Sequence, residues 1–370
     1  MRIPHLLHVF SNFVPTGTEL RTIQVIGSFG REYRHSIVSM DGRTEAAERL
    51  PAGLDVRLLP NPPKAGSFAT ARRLRRLLLE EKPDLVLTYN WGAFDMLLAA
   101  RSTGFGRVLH HEEGFNEDEA TSFKRRRVFA RRLVLPRVHR VVVPSRKLLS
   151  IATGLWKLPA ERVRLIPNGI RLASFTAAEG NPELRRRLGI PLDVLVAGAV
   201  GSLRPVKNYL RLLEAAAAVP EAHVLLVGEG EERPALEARA ARPDLAGRVH
   251  LAGYQADPAP FYRAMDVFAL TSDSEQMPVC LLEAMASALP AVSTDVGDVK
   301  AILPPDQADF LAPPDGQAAA ALARAISRLA GDPAARRRLG AANRRRVEEG
   351  FSFEAMCAAY REIYHSALVS

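Results

Sequence analysis

Short apolar runs recur along this chain, and each ends in a polar or small-residue turn that opens a helical pattern. Residues 5–10, 36–40, 55–59, 84–88, 106–109 and 141–145 are such runs in the first half, and residues 195–200, 223–227, 248–252 and 266–270 continue them. Strand, helix and strand in alternation argue for parallel sheets with helices on both faces. At 370 residues the chain is too long for one typical domain, so two doubly wound domains are expected. The composition turns polar and Gly/Pro-punctuated over 177–191, which places the linker there and the domains at 1–176 and 177–351.

In open sheets of this kind ligands bind outside the carboxyl ends of the strands. Three loops hold such positions. The first, Thr16-Gly17-Thr18-Glu19, has the small residues that let a ligand approach the backbone and a helix N-terminus, or that make an ordinary tight turn. The second, residues 201–208, offers Arg204 and Lys207 before a helix at 209–218, a combination that suits a diphosphate. In the third, residues 271–286, Pro278 fits the first helical position, so the helix starts near Met277. Glu275 then lies in the loop, and Glu283 lies in the second turn among Leu281, Leu282, Ala284 and Met285. A carboxylate there either faces solvent or meets hydroxyl or N–H donors, because burial without a partner is costly.

The stretch His110-His111-Glu112-Glu113-Gly114-Phe115-Asn116 follows the 106–109 run, and it reads as a metal site, a general base or a polar loop. A metal needs ligands converging from several elements, whereas neighbours on a strand point opposite ways, which argues against the first. Neither Gly198-x-x-Gly201 nor Gly228-x-Gly230 completes a three-glycine dinucleotide fingerprint. Two cysteines, Cys280 and Cys357, make no disulfide framework, and a reducing cytoplasm is the simplest setting. A formal net charge of +9 calls for an anionic partner. Basic and apolar residues interleave over 123–137, with a second cluster at Arg72-Arg73-Leu74-Arg75-Arg76. Helices lying on anionic membranes have that pattern, as do solvated helix faces.

Two glutamates with seven residues between them, before Ala284-Met285-Ala286 and with Leu289-Pro290-Ala291-Val292 following, resemble the donor-site signature of the group 1 (family 4) glycosyltransferases. Gln276 stands where that family usually has Gly, Thr16-Gly17-Thr18-Glu19 keeps one of its two loop glycines, and Asp298-Val299-Lys300 departs from its usual Glu turn. The resemblance implies the GT-B architecture, two Rossmann-like domains facing across a cleft, with a last helix at 352–370 crossing back to the first domain. It further implies a retaining sugar transfer from a nucleoside diphosphate sugar to a lipid-linked or glycan acceptor, with no metal or other cofactor. Glu275 then approaches the sugar and Glu283 the ribose. Arg204 and Lys207 take the pyrophosphate, Gly253 and Tyr254 lie by the base, and Gly17, Met277 and Pro278 complete the donor site. A functional histidine near the reacting sugar is implied at His111 or His110.

Such an enzyme would be cytoplasmic, with peripheral attachment to an anionic membrane as a further expectation. A different GT-B enzyme, a phosphorylase or nucleotide-sugar epimerase, would need its own lysine or acid/base set, and none is visible. A nucleic-acid-binding protein would explain the charge. Such sites favour aromatic platforms, however, and the main basic segment offers only Phe123 and Phe129, so no nucleic acid is expected.

Overall fold

The computed structural model describes residues 2–62, 66–114, 123–177 and 180–370, so Phe115 and Asn116 lie outside the described residues. The chain forms two compact units, residues 1–167 with 356–370, and residues 168–355. In the first, β1 (His5–Phe10), β2 (Arg34–Ser39), β3 (Val56–Leu59), β4 (Leu85–Tyr89), β5 (Val108–His111), β6 (Arg140–Val143) and β7 (Val163–Leu165) make one sheet. The order is β3-β2-β1-β4-β5-β6-β7, every pair parallel. In the second, β8 (Leu195–Val200), β9 (Ala222–Val227), β10 (Val249–Leu251), β11 (Val267–Leu270), β12 (Ala291–Thr294) and β13 (Leu311–Ala312) follow the order β10-β9-β8-β11-β12-β13, again parallel. Strand order reverses between β1 and β4 and between β8 and β11. In doubly wound sheets ligands bind outside the carboxyl ends of the strands at such points.

Central strands such as β1 and β4 are buried along their whole length because helices cover both faces of the sheet. On one face of the first sheet Leu7, Val9, Val86 and Val141 pack with Leu74, Leu97 and Val128 of the helices Ser67–Glu81, Phe94–Thr103 and Arg125–Val134. The other face is aromatic. Phe10 stacks on Tyr89 at 4.0 Å, Tyr89 on His111 at 4.6 Å, and His111 on Tyr360 of the helix Phe353–Leu368 at 6.0 Å. That last helix is capped by Ser352, whose Oγ accepts the Ala355 N–H at 3.2 Å, and from Met356 onward it belongs to the first unit.

Three expectations change. The stretch expected as a linker holds the helix Pro182–Arg187, and its Arg185 pairs with Asp266 at 2.8 Å inside the second unit. Polar composition there marks a capped, partly buried helix rather than a free tether. Secondly, β5 runs through His111, so both histidines are buried strand residues instead of loop residues. Thirdly, the 123–137 segment is not all surface. Arg131 is 1% exposed, lies between the rings of Trp91 and Trp156, and donates from Nε to Glu112 at 2.7 Å. Burial raises the Glu112 carboxyl, but Arg131 and His110 together more than offset this and hold it below the usual range.

His8, His35 and His111 share the buried aromatic face, with His8 Nε2 3.0 Å from His35 Nδ1 and His8 Nδ1 3.0 Å from the Tyr89 hydroxyl. Burial pushes His8 and His111 well below the ordinary histidine range and His35 down to about 4. A depressed imidazole stabilises the fold above the ordinary value of 6.5. That contribution fades as pH falls towards the folded value, because the unfolded chain takes up the proton first. The shift of His35 alone is worth about 3 kcal/mol. Trp91 and Trp156 both lie in this unit, so tryptophan fluorescence reports its unfolding. The urea midpoint is expected to fall between pH 6.5 and 4, and His35→Gln to flatten the fall. A midpoint with the same pH profile in both proteins would refute this.

Candidate functional site

At the β8/β11 switch point two loops are stitched together. The Asp273 N–H donates to the Val206 carbonyl at 2.9 Å and the Thr271 hydroxyl to the Lys207 carbonyl at 3.0 Å. Arg211 donates to the Thr271 carbonyl at 2.7 Å and pairs with Asp273, also at 2.7 Å. Asn208 turns the chain with a left-handed φ of 47° and caps the helix Tyr209–Ala217 by accepting the Arg211 N–H. Within this frame Lys207 Nζ meets Glu275 Oε1 at 2.5 Å, and Ser272 Oγ donates to the same oxygen at 2.8 Å.

Burial acts to lower the Lys207 ammonium, but Glu275 and Cys280 together outweigh it, so Lys207 titrates above the usual lysine range. It is a fixed cation beside a helix N-terminus, with its counterion on the neighbouring loop. Arg204 is exposed, and its Nε donates to Ser202 Oγ at 3.0 Å. An anion entering here therefore meets one anchored and one outward-facing cation.

The helix Val279–Ala286 begins one residue later than expected, with Pro278 as its N-cap. Leu281, Leu282, Ala284 and Met285 are buried, and Glu283 is partly so. Its Oε2 accepts the Tyr262 hydroxyl at 2.7 Å. Burial pushes the Glu283 carboxyl up to about 7, with the Tyr262 hydrogen bond opposing and Asp257 adding to the rise. At neutral pH this group can accept or donate to a polyol. Nothing in the sequence pointed to Tyr262, which reaches Glu283 only through the packing of the short helix Ala259–Tyr262. Ser272 carried a faint signal, a hydroxyl three residues before a carboxylate at a strand end.

Close backbone packing fixes the surrounding loops. A Cβ on Gly228 would stand 1.9 Å from the Gly201 carbonyl, and one on Gly230 2.4 Å from that of Leu203. Gly253, after β10, has a φ of 72° and accepts the Gly228 N–H at 2.9 Å, and Tyr254 beside it is exposed. Met277 is buried, with its carbonyl accepting from Asn168 Nδ2 at 3.1 Å. The second unit thus gathers Arg204, Lys207, Gly253, Tyr254, Glu275, Met277, Pro278 and Glu283 at one carboxyl edge.

Gly17, His110 and His111 belong to the first unit. Gly17 opens the helix Gly17–Phe29 after β1. His110 Nδ1 lies 2.8 Å from Thr88 Oγ1 and its Nε2 3.9 Å from Glu112 Oε1, while His111 Nδ1 lies 3.3 Å from the Thr88 carbonyl and its Nε2 has no hydrogen-bond partner among the described residues. The group beyond the end of β5 is Glu113, which accepts Arg21 Nη1 at 2.6 Å and whose N–H donates to Asn90 Oδ1 at 2.8 Å. No group of three or more His, Cys, Asp or Glu side chains among the described residues is placed to hold a metal ion.

Gly297, after β12, has a φ of 58°, and a Cβ there would stand 2.5 Å from the Glu275 carbonyl and 2.6 Å from that of Gln276. Gly297→Ala should destabilise the second unit by about 1–3 kcal/mol and shift the loop that carries Glu275. Circular dichroism melts check the first effect. An unchanged Tm would mean that the loop tolerates the methyl group.

Residues 194–332 match a family model described as "Glycosyl transferases group 1", and residues 23–169 one described as "Glycosyl transferase 4-like domain". The lipopolysaccharide core biosynthesis glycosyltransferase LpsE of Rhizobium meliloti is 31% identical over 211 residues, 57% of this chain and 59% of that protein. An Escherichia coli UDP-Gal:alpha-D-GlcNAc-diphosphoundecaprenol alpha-1,3-galactosyltransferase is 28% identical over 238 residues, 60% of each. The chain therefore spans about three-fifths of the length of these relatives. Among solved structures, Anabaena HepE in complex with UDP superposes with a TM-score of 0.84 at 20% identity, over 98% of this chain and all of that one.

Proposed function

Because this chain belongs to the group 1 glycosyltransferases and has their GT-B fold, we propose that it moves a sugar from a nucleoside diphosphate sugar to a lipid-linked or glycan acceptor, with retention at the anomeric carbon. The observation that carries the reading is the Lys207–Glu275 pair at the β8/β11 switch point, with Arg204 beside it. A departing diphosphate needs cations and N–H donors fixed in advance. Lys207, Arg204 and the N-terminus of the Tyr209–Ala217 helix supply them, and the reading gives no part to a metal or other cofactor. The diphosphate would replace Glu275 as counterion of Lys207, freeing that carboxylate to face the sugar. Glu283, paired with Tyr262, would hold the ribose hydroxyls, and the backbone at Gly253 and Tyr254 the base. Gly17 would leave the backbone of the loop after β1 open to a ligand of the first unit. His110 and His111, the last two residues of β5, would position the loop that carries Glu113. Polysaccharide or glycolipid synthesis is the process that relatives named for lipopolysaccharide core and diphosphoundecaprenol chemistry support.

Separate titrations and rates test the division of labour. Glu283→Gln should chiefly weaken nucleoside diphosphate binding, while Glu275→Gln should lower kcat more than it changes that affinity. Lys207→Ala or Arg204→Ala should cost about 1.5–3 kcal/mol of nucleotide binding. The opposite split between the glutamates would reverse their roles. Unchanged affinity in both cation variants would remove them from the site.

A specific surface favours peripheral attachment to anionic lipid on the cytoplasmic face of a membrane. The helix Arg125–Val134 exposes Arg125, Arg126 and Arg132 with Phe129 and Leu133, and the helix Ser67–Glu81 exposes Phe68 and Leu79 among Arg72, Arg73, Arg75 and Arg76. Both cover the same face of the first sheet. No helix among the described residues is long and apolar enough to cross a membrane. Cosedimentation with vesicles should rise with anionic lipid, fall with salt, and drop in a Phe68→Ser/Phe129→Ser variant. Equal binding to neutral and anionic vesicles would count against it.

A further inference from the structure

At the N-terminal ends of β5, β6 and β7 lies a cavity of about 470 Å³. These are the opposite strand ends from the loops of Asn90 and Glu113. Arg107 enters the lining just before β5, Arg137 and His139 just before β6, and Arg162 just before β7. Parallel strands bring these positions side by side although they are spread over more than fifty residues of chain. No acidic side chain lines the cavity. None of the three arginines pairs with a carboxylate among the described residues, although many other arginines of the chain do.

What holds the guanidinium groups is neutral. Arg137 Nη1 donates to the Leu133 carbonyl at 2.6 Å, and Arg162 Nη1 donates to the Val138 carbonyl at 3.2 Å. The Arg107 guanidinium lies 5.9 Å from the centre of the Phe105 ring. His139 meets hydroxyls, Ser366 Oγ at 3.1 Å from Nε2 and Ser370 Oγ at 3.4 Å from Nδ1. Three like charges facing one concavity repel, and backbone carbonyls neutralise none of that charge. An anion with several oxygens would relieve the repulsion and accept the N–H donors that remain, and planar guanidinium forks match phosphate oxygens in pairs. The volume falls in the range of small-molecule sites.

We propose that this cavity binds a phosphate-bearing group, a phosphomonoester or diphosphate, separately from the donor loops of the second unit. The group comes either from a soluble phosphorylated molecule or from a lipid headgroup, since Arg137 directly follows the helix that exposes Arg132 and Leu133.

Calorimetry on the full chain tests this, with Arg204→Ala as background, because that exposed cation can be removed to weaken donor-site binding without breaking the Lys207–Glu275 pair. Inorganic pyrophosphate and a water-soluble short-chain phosphatidic acid are the two titrants. At least one should bind, and Arg107→Gln or Arg162→Gln should weaken that binding about tenfold or more. Arg162→Lys, which keeps the charge, stands in if Arg162→Gln fails to fold, and should weaken it less. Tighter binding of the phosphatidic acid assigns the site to lipid, and tighter binding of pyrophosphate to a soluble ligand. The proposal is overturned if neither titrant binds, or if folded cavity variants bind as the background protein does.

Discussion

Between the loops that follow β8 and β11 runs the ion pair of Lys207 and Glu275, whose side chains are 16% and 13% exposed. Ions held so far from water lose hydration, and only a close partner and further hydrogen bonds offset the loss. The 2.5 Å contact and the Ser272 hydroxyl supply both. Taking one partner away would leave a buried charge uncompensated, which costs about 3–5 kcal/mol in comparable pairs. The pair therefore defines where each loop must lie. The loop after β12 packs closely against the loop that carries the pair, since a Cβ on Gly297 would stand 2.5 Å from the Glu275 carbonyl. A fixed cation whose counterion sits on a separate loop is also what an exchange of carboxylate for diphosphate requires.

The first unit divides its polar groups between two environments. Its interior face keeps His8, His35 and His111 neutral by burial, and the Arg131–Glu112 ion pair of the basic segment is buried with Arg131 against two indoles. The net charge of +9 is consequently a property of the surface. There, exposed arginines stand beside exposed Phe68 and Phe129, and Arg107, Arg137 and Arg162 line the β5–β7 cavity. The same residue type thus serves two physical ends, and exposure separates them.

Much of the site was legible in the order of residues. Glycines, cations and carboxylates just past apolar runs fall on the carboxyl edge of a parallel sheet, so Arg204, Lys207, Glu275 and Glu283 could be placed before any coordinates. Tyr262 could not. It lies 21 residues before Glu283, on a four-residue helix with no pattern of its own, and the contact exists only because that helix packs against Val279–Ala286. The histidines were misplaced for a related reason. A polar pair after Val108-Leu109 looks like a strand end, yet β4 and β6 extend the pairing through His111 and supply aromatic neighbours that accept a neutral imidazole.

By itself the sequence determined the alternation of strands and helices, because periodicity and turn residues act locally, and its two spaced glutamates carried the resemblance to the family. Tertiary structure decided which charges are buried, as with Arg131 against Arg132, and that 177–191 folds into the second unit through Arg185 and Asp266. It also decided that Arg107, Arg137 and Arg162 converge. Each of these depends on strand order and on which helix face meets the sheet, and spacing along the chain does not encode a contact between residues that only pairing brings together.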